Sequence, residues 1–197
     1  MWNWYNSIMK KKIYIVHGWD GSSAKAWTPW AKGELQNLGH EVIFLDMPDP
    51  EVPKIGLWVE HLREVVTNPN ENTYFIGHSI GCQTILRYLE TVDAKVGGAI
   101  FVAGWFALEN LEDGEVEDIA RPWLSIPIDT NKIKNVLTKS VLLISDNDPY
   151  GGFDENVEKF SDLGSEIIVI PDAGHFTADD GFGPFEKLVE IFKNKME

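Results

Sequence analysis

Cysteine occurs once in the 197 residues, at Cys82, which leaves no internal disulfide to form and no site built on several thiolates. A single thiol also suits a reducing, cytoplasmic setting. Basic residues are scarce, 17 Lys and Arg against 31 Asp and Glu, for a formal net charge of -14. A chain so charged repels phosphate backbones and anionic lipid, so neither nucleic acid nor an acidic membrane is an expected partner. No run approaches about 18 uncharged apolar residues, which argues against a membrane span. There is no HExxH, and the carboxylates are scattered as on a solvated face, so no metal site is predicted. Neither a complete GxGxxG nor the Lys-Ser/Thr ending of a phosphate loop is present, so no nucleotide cofactor is predicted either. Repeats, low-complexity tracts and interdomain linkers are missing as well. Residues 1–197 therefore read as one domain with residues 1–10 as an aromatic N-terminal extension. In "MWNWYNSIMKKK" the positive charges follow the apolar residues and no long apolar core comes after them, the wrong order for an export signal.

With 44% hydrophobic and 24% charged residues, the chain has enough apolar material for a sizeable core. Short β-branched and aromatic runs alternate with helical patterns. "KIYIV" at 12–16 reads as a first strand, and a second ends near Leu45. Further strands are expected in "NTYFIG", "KVGGAIFVAG", "VLLISDNDP" and "EIIVIPDAG". Between them fall "TPWAKGELQNLG", with Pro29 suited to a first helical turn and Gly39 to an exit, "IGLWVEHLREVV" and "IGCQTILRYLE". A last helix lies in "FGPFEKLVEIFKNK". Strands apolar on both faces and separated by helices imply a mainly parallel sheet covered on both sides, a three-layer α/β/α sandwich of about six strands. The stretch from about 104 to 134 is acidic, interrupted by Pro122 and Pro127, and shows only short helical potential; it reads as a small cap over the sheet end.

"GHSIG" at 77–81 stands directly between an expected strand and an expected helix. A Gly-x-Ser-x-Gly pattern arises by chance in roughly one chain of this size in fifteen, so its placement matters more than its letters. A serine at a sharp strand-to-helix turn projects Oγ from the sheet only if the flanking backbone approaches closely, which Gly77 and Gly81 permit. Ser79 is thus a candidate nucleophile, with helix N–H groups nearby where negative charge would develop.

A serine hydroxyl needs a base, and the base an orienting acceptor. His175, in the loop "PDAGHF" after the last strand, is the favoured base. His61 lies in a helix, His40 opens a strand, His17 ends one, and His78 adjoins the serine on a turn that sends its side chain elsewhere. Asp146 and Asp148 both follow the fifth strand; Asp148 is preferred because Pro149 biases its backbone toward an extended exit. Asp172 is a third candidate, better explained as a turn residue. The backbone N–H groups of Ile80 and Trp19 are the expected oxyanion donors. Cys82 reads as a buried packing residue. Of the loop aromatics, Trp105, Trp123, Tyr150 and Phe176 are candidates to line an apolar acyl pocket. A noncatalytic binding module on the same frame and an acyltransferase are the alternatives to hydrolysis.

Taken in order, "HGW" at 17–19, "MPDP" at 47–50, "GHSIG" at 77–81, "RPW" at 121–123, "DNDP" at 146–149 and "GHF" at 174–176 resemble the small α/β-hydrolase-fold serine hydrolases related to retinoblastoma-binding protein nine. The likeness spans about residues 11 to 192. It implies a triad of Ser79, Asp148 and His175, esterase-type hydrolysis of a small acyl substrate, and no cofactor. The Leu-x-Cys-x-Glu pattern is absent, since Ile80 stands two positions before the cysteine, so no pocket-protein partner is implied. The first loop is also less glycine-rich than in the nearest eukaryotic relatives, which implies a different pocket beside Trp19.

Overall fold

A computed structural model describes residues 10–111 and 114–196; of the N-terminal extension only residue 10 falls within it. Six strands, β1 (Lys12–Val16), β2 (Glu41–Leu45), β3 (Thr73–His78), β4 (Gly98–Val102), β5 (Ser140–Ile144) and β6 (Glu166–Val169), form one sheet. Their order is β2-β1-β3-β4-β5-β6 and every pairing is parallel.

Parallel neighbours need crossovers, and helices supply them on both faces. Tyr14 and Val16 of β1, Phe75 of β3, Phe101 of β4 and Leu142 of β5 point to one face. There they meet Trp58 and Leu62 of α2 (Ile55–Val65), α3 (Ile80–Leu89), Ile133 of α5 (Thr130–Val136) and Phe160 of α6 (Phe153–Leu163). Their sequence neighbours Ile13, Ile15, Ile76, Ile100 and Leu143 point to the other. These pack on Ala31 and Leu35 of α1 (Thr28–Asn37), on Leu188 of α7 (Glu186–Ile191), and on Phe192 in the π-helical turn Phe192–Met196. Alternation with both faces buried is why these strands read as continuous apolar runs. The chain leaves β1 toward β2 and then crosses back to β3, so the strand order reverses at β1/β3. Ligand sites of open α/β sheets lie at such a reversal, beyond the C-terminal strand ends.

Two helices depart from expectation. Residues 153–163, left without an element by the sequence patterns, form α6, whose Asn156, Phe160 and Leu163 are buried and whose flanking Gly152 and Gly164 both adopt positive φ. The stretch from 104 to 134 holds more than short turns: α4 (Gly114–Ser125) runs for 12 residues through Pro122, followed by α5. Trp123 explains the anchoring. It is 1% exposed, donates its indole N–H to Pro53 O at 3.1 Å and lies edge-on to Trp58. Arg87 of α3 donates from Nη2 to Trp123 O and Ile126 O, each at 2.8 Å, capping the C-terminal carbonyls of α4.

Candidate active site

Ser79 has φ 52 and ψ -122, a backbone region a residue with a Cβ occupies at a cost of about 1–3 kcal/mol. The turn is held there by Ser79 N–H donating to Val102 O and Cys82 N–H donating to Ser79 O, both at 2.9 Å. Its glycines answer to contact. A Cβ on Gly81 would sit 2.5 Å from the carbonyl oxygens of both Val16 and His17, and one on Gly77 2.9 Å from Cys82 N. The elbow therefore lets α3 lie against the end of β1. Gly81→Ala is expected to destabilise by about 3 kcal/mol, because backbone oxygens cannot yield as a side chain would. Gly33→Ala, with nothing within 4 Å of its added Cβ, is expected to be neutral or stabilising by up to about 1 kcal/mol. Urea midpoints of the two variants check the contrast.

His175 is 9% exposed, and its loop is caught by side chains along its length. Ala173 N–H donates to Ser145 Oγ at 2.9 Å, Gly174 N–H to Asn147 Oδ1 at 2.7 Å and His175 N–H to Asp180 Oδ2 at 3.1 Å. On the acceptor side, His175 O takes a hydrogen bond from His78 Nε2 at 2.8 Å and Phe176 O one from Trp27 Nε1 at 3.2 Å. The His175 ring meets Asp148, its Nδ1 lying 2.7 Å from Oδ2. Asp148 Oδ1 accepts Tyr150 N–H at 3.0 Å, and the Tyr150 ring stands edge-on to the imidazole at 4.7 Å. Asp146 is exposed and instead accepts Asp172 N–H, which leaves Asp148 as the carboxylate against the histidine.

The other histidines serve the frame. His17 Nε2 accepts Met47 N–H, so Nδ1 carries the proton and donates to Gly18 O at 2.6 Å; burial holds its pKa below the ordinary value. His40 packs on Phe192. His78 differs from expectation, because its side chain does not turn away from the site: it holds the His175 carbonyl and lines the same cavity. Desolvation, with the neighbouring His175 second, pushes its pKa well down. A neutral ring that donates from Nε2 is thereby favoured. Asp180 is raised by desolvation but lowered further by the hydrogen bonds from Thr177 and His175, so its carboxyl lies below the usual range. Neither role leaves a mark in the sequence pattern. Cys82 is fully buried, with its thiol donating to Val102 O and its pKa pushed up by burial.

Ser79 and His175 line one cavity of about 150 Å³ at the sheet's C-terminal edge. Gly18 and Trp19 come to it from the loop after β1, Ile80 from α3, Trp105 from the loop after β4, and Tyr150 from the loop after β5. Leu108, Leu111 and Ala120 complete an apolar wall that the sequence did not single out. Among the described residues, neither Trp19 N–H nor Ile80 N–H donates to a protein acceptor. Two of the expected lining residues lie elsewhere. Trp123 is locked between α3 and α2 in one core, as described above. Phe176, at φ 58, turns to the opposite face of the sheet and stacks on Phe185 in the other. Among the described residues no cluster of three or more His, Cys, Asp or Glu side chains could hold a metal ion, and no helix is long and apolar enough to cross a membrane.

Residues 13–194 match the family model described as serine hydrolase. YdeN of Bacillus subtilis is 30% identical over 176 residues, covering 88% of this chain and 90% of that protein. The crystal structure of the B. subtilis ydeN gene product superposes with a TM-score of 0.86 at 27% identity, over 94% of this chain and 98% of that one. The serine hydrolase RBBP9 of Rattus norvegicus is 26% identical over 188 residues, 94% of this chain and 95% of that protein. With its six parallel strands between two helical layers, the chain belongs to the serine hydrolase family, as a compact α/β-hydrolase-fold protein related to YdeN and RBBP9.

Proposed function

We propose that the protein hydrolyses small carboxylic esters through a Ser79–His175–Asp148 triad and an acyl-enzyme intermediate. The carrying observation is the 2.7 Å contact between His175 Nδ1 and Asp148 Oδ2, made by a histidine that shares its cavity with a serine on a strained turn. In this reading the substrate's carbonyl oxygen lies against the N–H groups of Trp19 and Ile80, which donate to no acceptor among the described residues. His175 takes the Ser79 proton as Oγ attacks the carbonyl carbon, and Asp148 holds the imidazole with its proton on Nδ1 and stabilises the charged ring. His175 then returns the proton to the departing alkoxide, and water, activated by the same base, releases the acid and restores Ser79.

The cavity sets the scale of the acyl group. A volume near 150 Å³, which the attacked carbonyl must share, suits a short acyl chain of at most about six carbons. The segment from 104 to 134 acts as the cap of this pocket, contributing Trp105, Leu108, Leu111 and Ala120 to its wall while Arg87 and Trp123 pin the C-terminal end of α4.

An active-site-directed fluorophosphonate tests the assignment. It is expected to leave one mass adduct, on the peptide carrying Ser79, and none in Ser79→Ala. A wild-type protein that takes no adduct would favour a noncatalytic role for the same frame.

A further inference from the structure

Behind the loop that follows β1 lies a second cavity, of about 340 Å³. Gly18, Trp19, His78 and Thr177 line both this cavity and the first, so those four residues form a common wall. The two spaces differ in the charged groups that border them. Both walls are mainly apolar, but Asp20, Lys25 and Asp179, with the hydroxyls of Ser22 and Thr28, add charged and polar groups to the larger.

The charges around the larger cavity do not cancel. Lys25 Nζ is held by the Asp20 carboxylate at 3.2 Å and by the Asp20 carbonyl at 2.5 Å, so this cation is already matched. Asp179 is exposed and makes no ion pair among the described residues. One unmatched negative charge thus borders the cavity, within a chain of net charge -14. The second cavity also borders the His175 loop. The acyl chain and the alcohol of an ester must diverge from the attacked carbon, and the alcohol oxygen must lie by His175, which gives it a proton. His78, bonded to the His175 carbonyl, and Thr177, two residues along the same loop, both border the second cavity.

Resting on the ester hydrolysis described above, we propose that this second cavity receives the alcohol half of the substrate, and that the alcohol is polar and not anionic. As the Oγ–acyl carbon bond is made and the bond from that carbon to the alkoxy oxygen breaks, the proton on His175 passes to the departing oxygen. A neutral hydroxyl is then released into the second cavity.

Four butanoate esters sharing one acyl group test this: methyl, glyceryl, choline and glycolate. For the wild type, kcat/KM is expected to be about fivefold above the methyl ester for glyceryl and choline, and about fivefold below it for the anionic glycolate. Ser22→Trp, which fills the cavity, is expected to lower the glyceryl-to-methyl ratio about fivefold. Asp179→Lys, an exposed charge reversal that leaves folding intact, is expected to lower the choline-to-glycolate ratio about tenfold at low salt and less at high salt. Ratios within about twofold of wild type in both variants overturn the inference, as does a wild-type preference for glycolate. Because every ratio compares esters of one acid, a flat result with Ser79→Ala inactive rejects only the alcohol compartment. Turnover that survives in Ser79→Ala rejects the triad itself.

Discussion

Ser79→Ala is expected to lower kcat for ester hydrolysis by about 10⁴- to 10⁶-fold, with KM changed no more than a few-fold. The substitution removes the only atom proposed to bond the acyl carbon and leaves the walls of the cavity as they are. It should also leave the fold intact. The Ser79 side chain makes no cap hydrogen bond to α3, and the turn is held by backbone contacts to Val102 and from Cys82. Alanine carries the same Cβ, so it meets the same strain at φ 52 that serine already bears. The comparison is therefore clean: steady-state kinetics on a short-chain ester together with urea midpoints, which should agree within about 0.5 kcal/mol between the two proteins. Activity retained at a substantial fraction of wild type would show that another group attacks. Cys82 could not take over, since it is fully buried with its thiol turned to Val102 O.

Much of this arrangement was legible in the chain because its physical causes are local. Both-face burial makes β1, β3, β4 and β5 continuous apolar runs, and the contacts of Gly77 and Gly81 need glycine at fixed offsets from the serine. The triad candidates were readable for a related reason: each stands at a strand end, where a parallel sheet gathers its loops. What escaped was direction. Phe176 is adjacent to His175, yet one residue farther along a turn at positive φ puts it in the opposite core. Trp123 looked like a pocket aromatic because it stands among the loop aromatics, but tertiary contacts with Trp58 and Arg87 bury it. On α3, Thr84, Ile85, Tyr88 and Leu89 fall at helical spacing. The whole helix is nevertheless buried, Gln83 and Arg87 included, and those two side chains donate to Trp105 O and Trp123 O. His78 and Asp180 act through the backbone of the His175 loop, 97 and 5 residues away in the chain. No spacing rule connects such pairs.

Asp148→Asn separates the two carboxylates that the pattern "DNDP" offers, and it is expected to cost about 10⁴ in kcat. The reason lies in the second oxygen. Asp148 Oδ1 accepts Tyr150 N–H at 3.0 Å while Oδ2 faces His175 Nδ1 at 2.7 Å. Tyr150 N–H can only donate, so an amide placed there keeps its carbonyl oxygen toward Tyr150 and turns its NH₂ toward the imidazole. Nδ1 must then accept, which forces the ring proton onto Nε2, the nitrogen that has to take the Ser79 proton. Geometry is preserved and the base is lost. Asp146→Asn carries the opposite expectation. Asp146 is exposed, its Oδ1 serves only Asp172 N–H, and an amide oxygen accepts that bond equally well, so kcat should stay within about threefold. Measuring kcat for the two variants side by side, with fluorophosphonate labelling rates as a second readout, decides between them. A large loss confined to Asp146→Asn would move the acid to that position and make the Asp148–His175 contact one of structure alone.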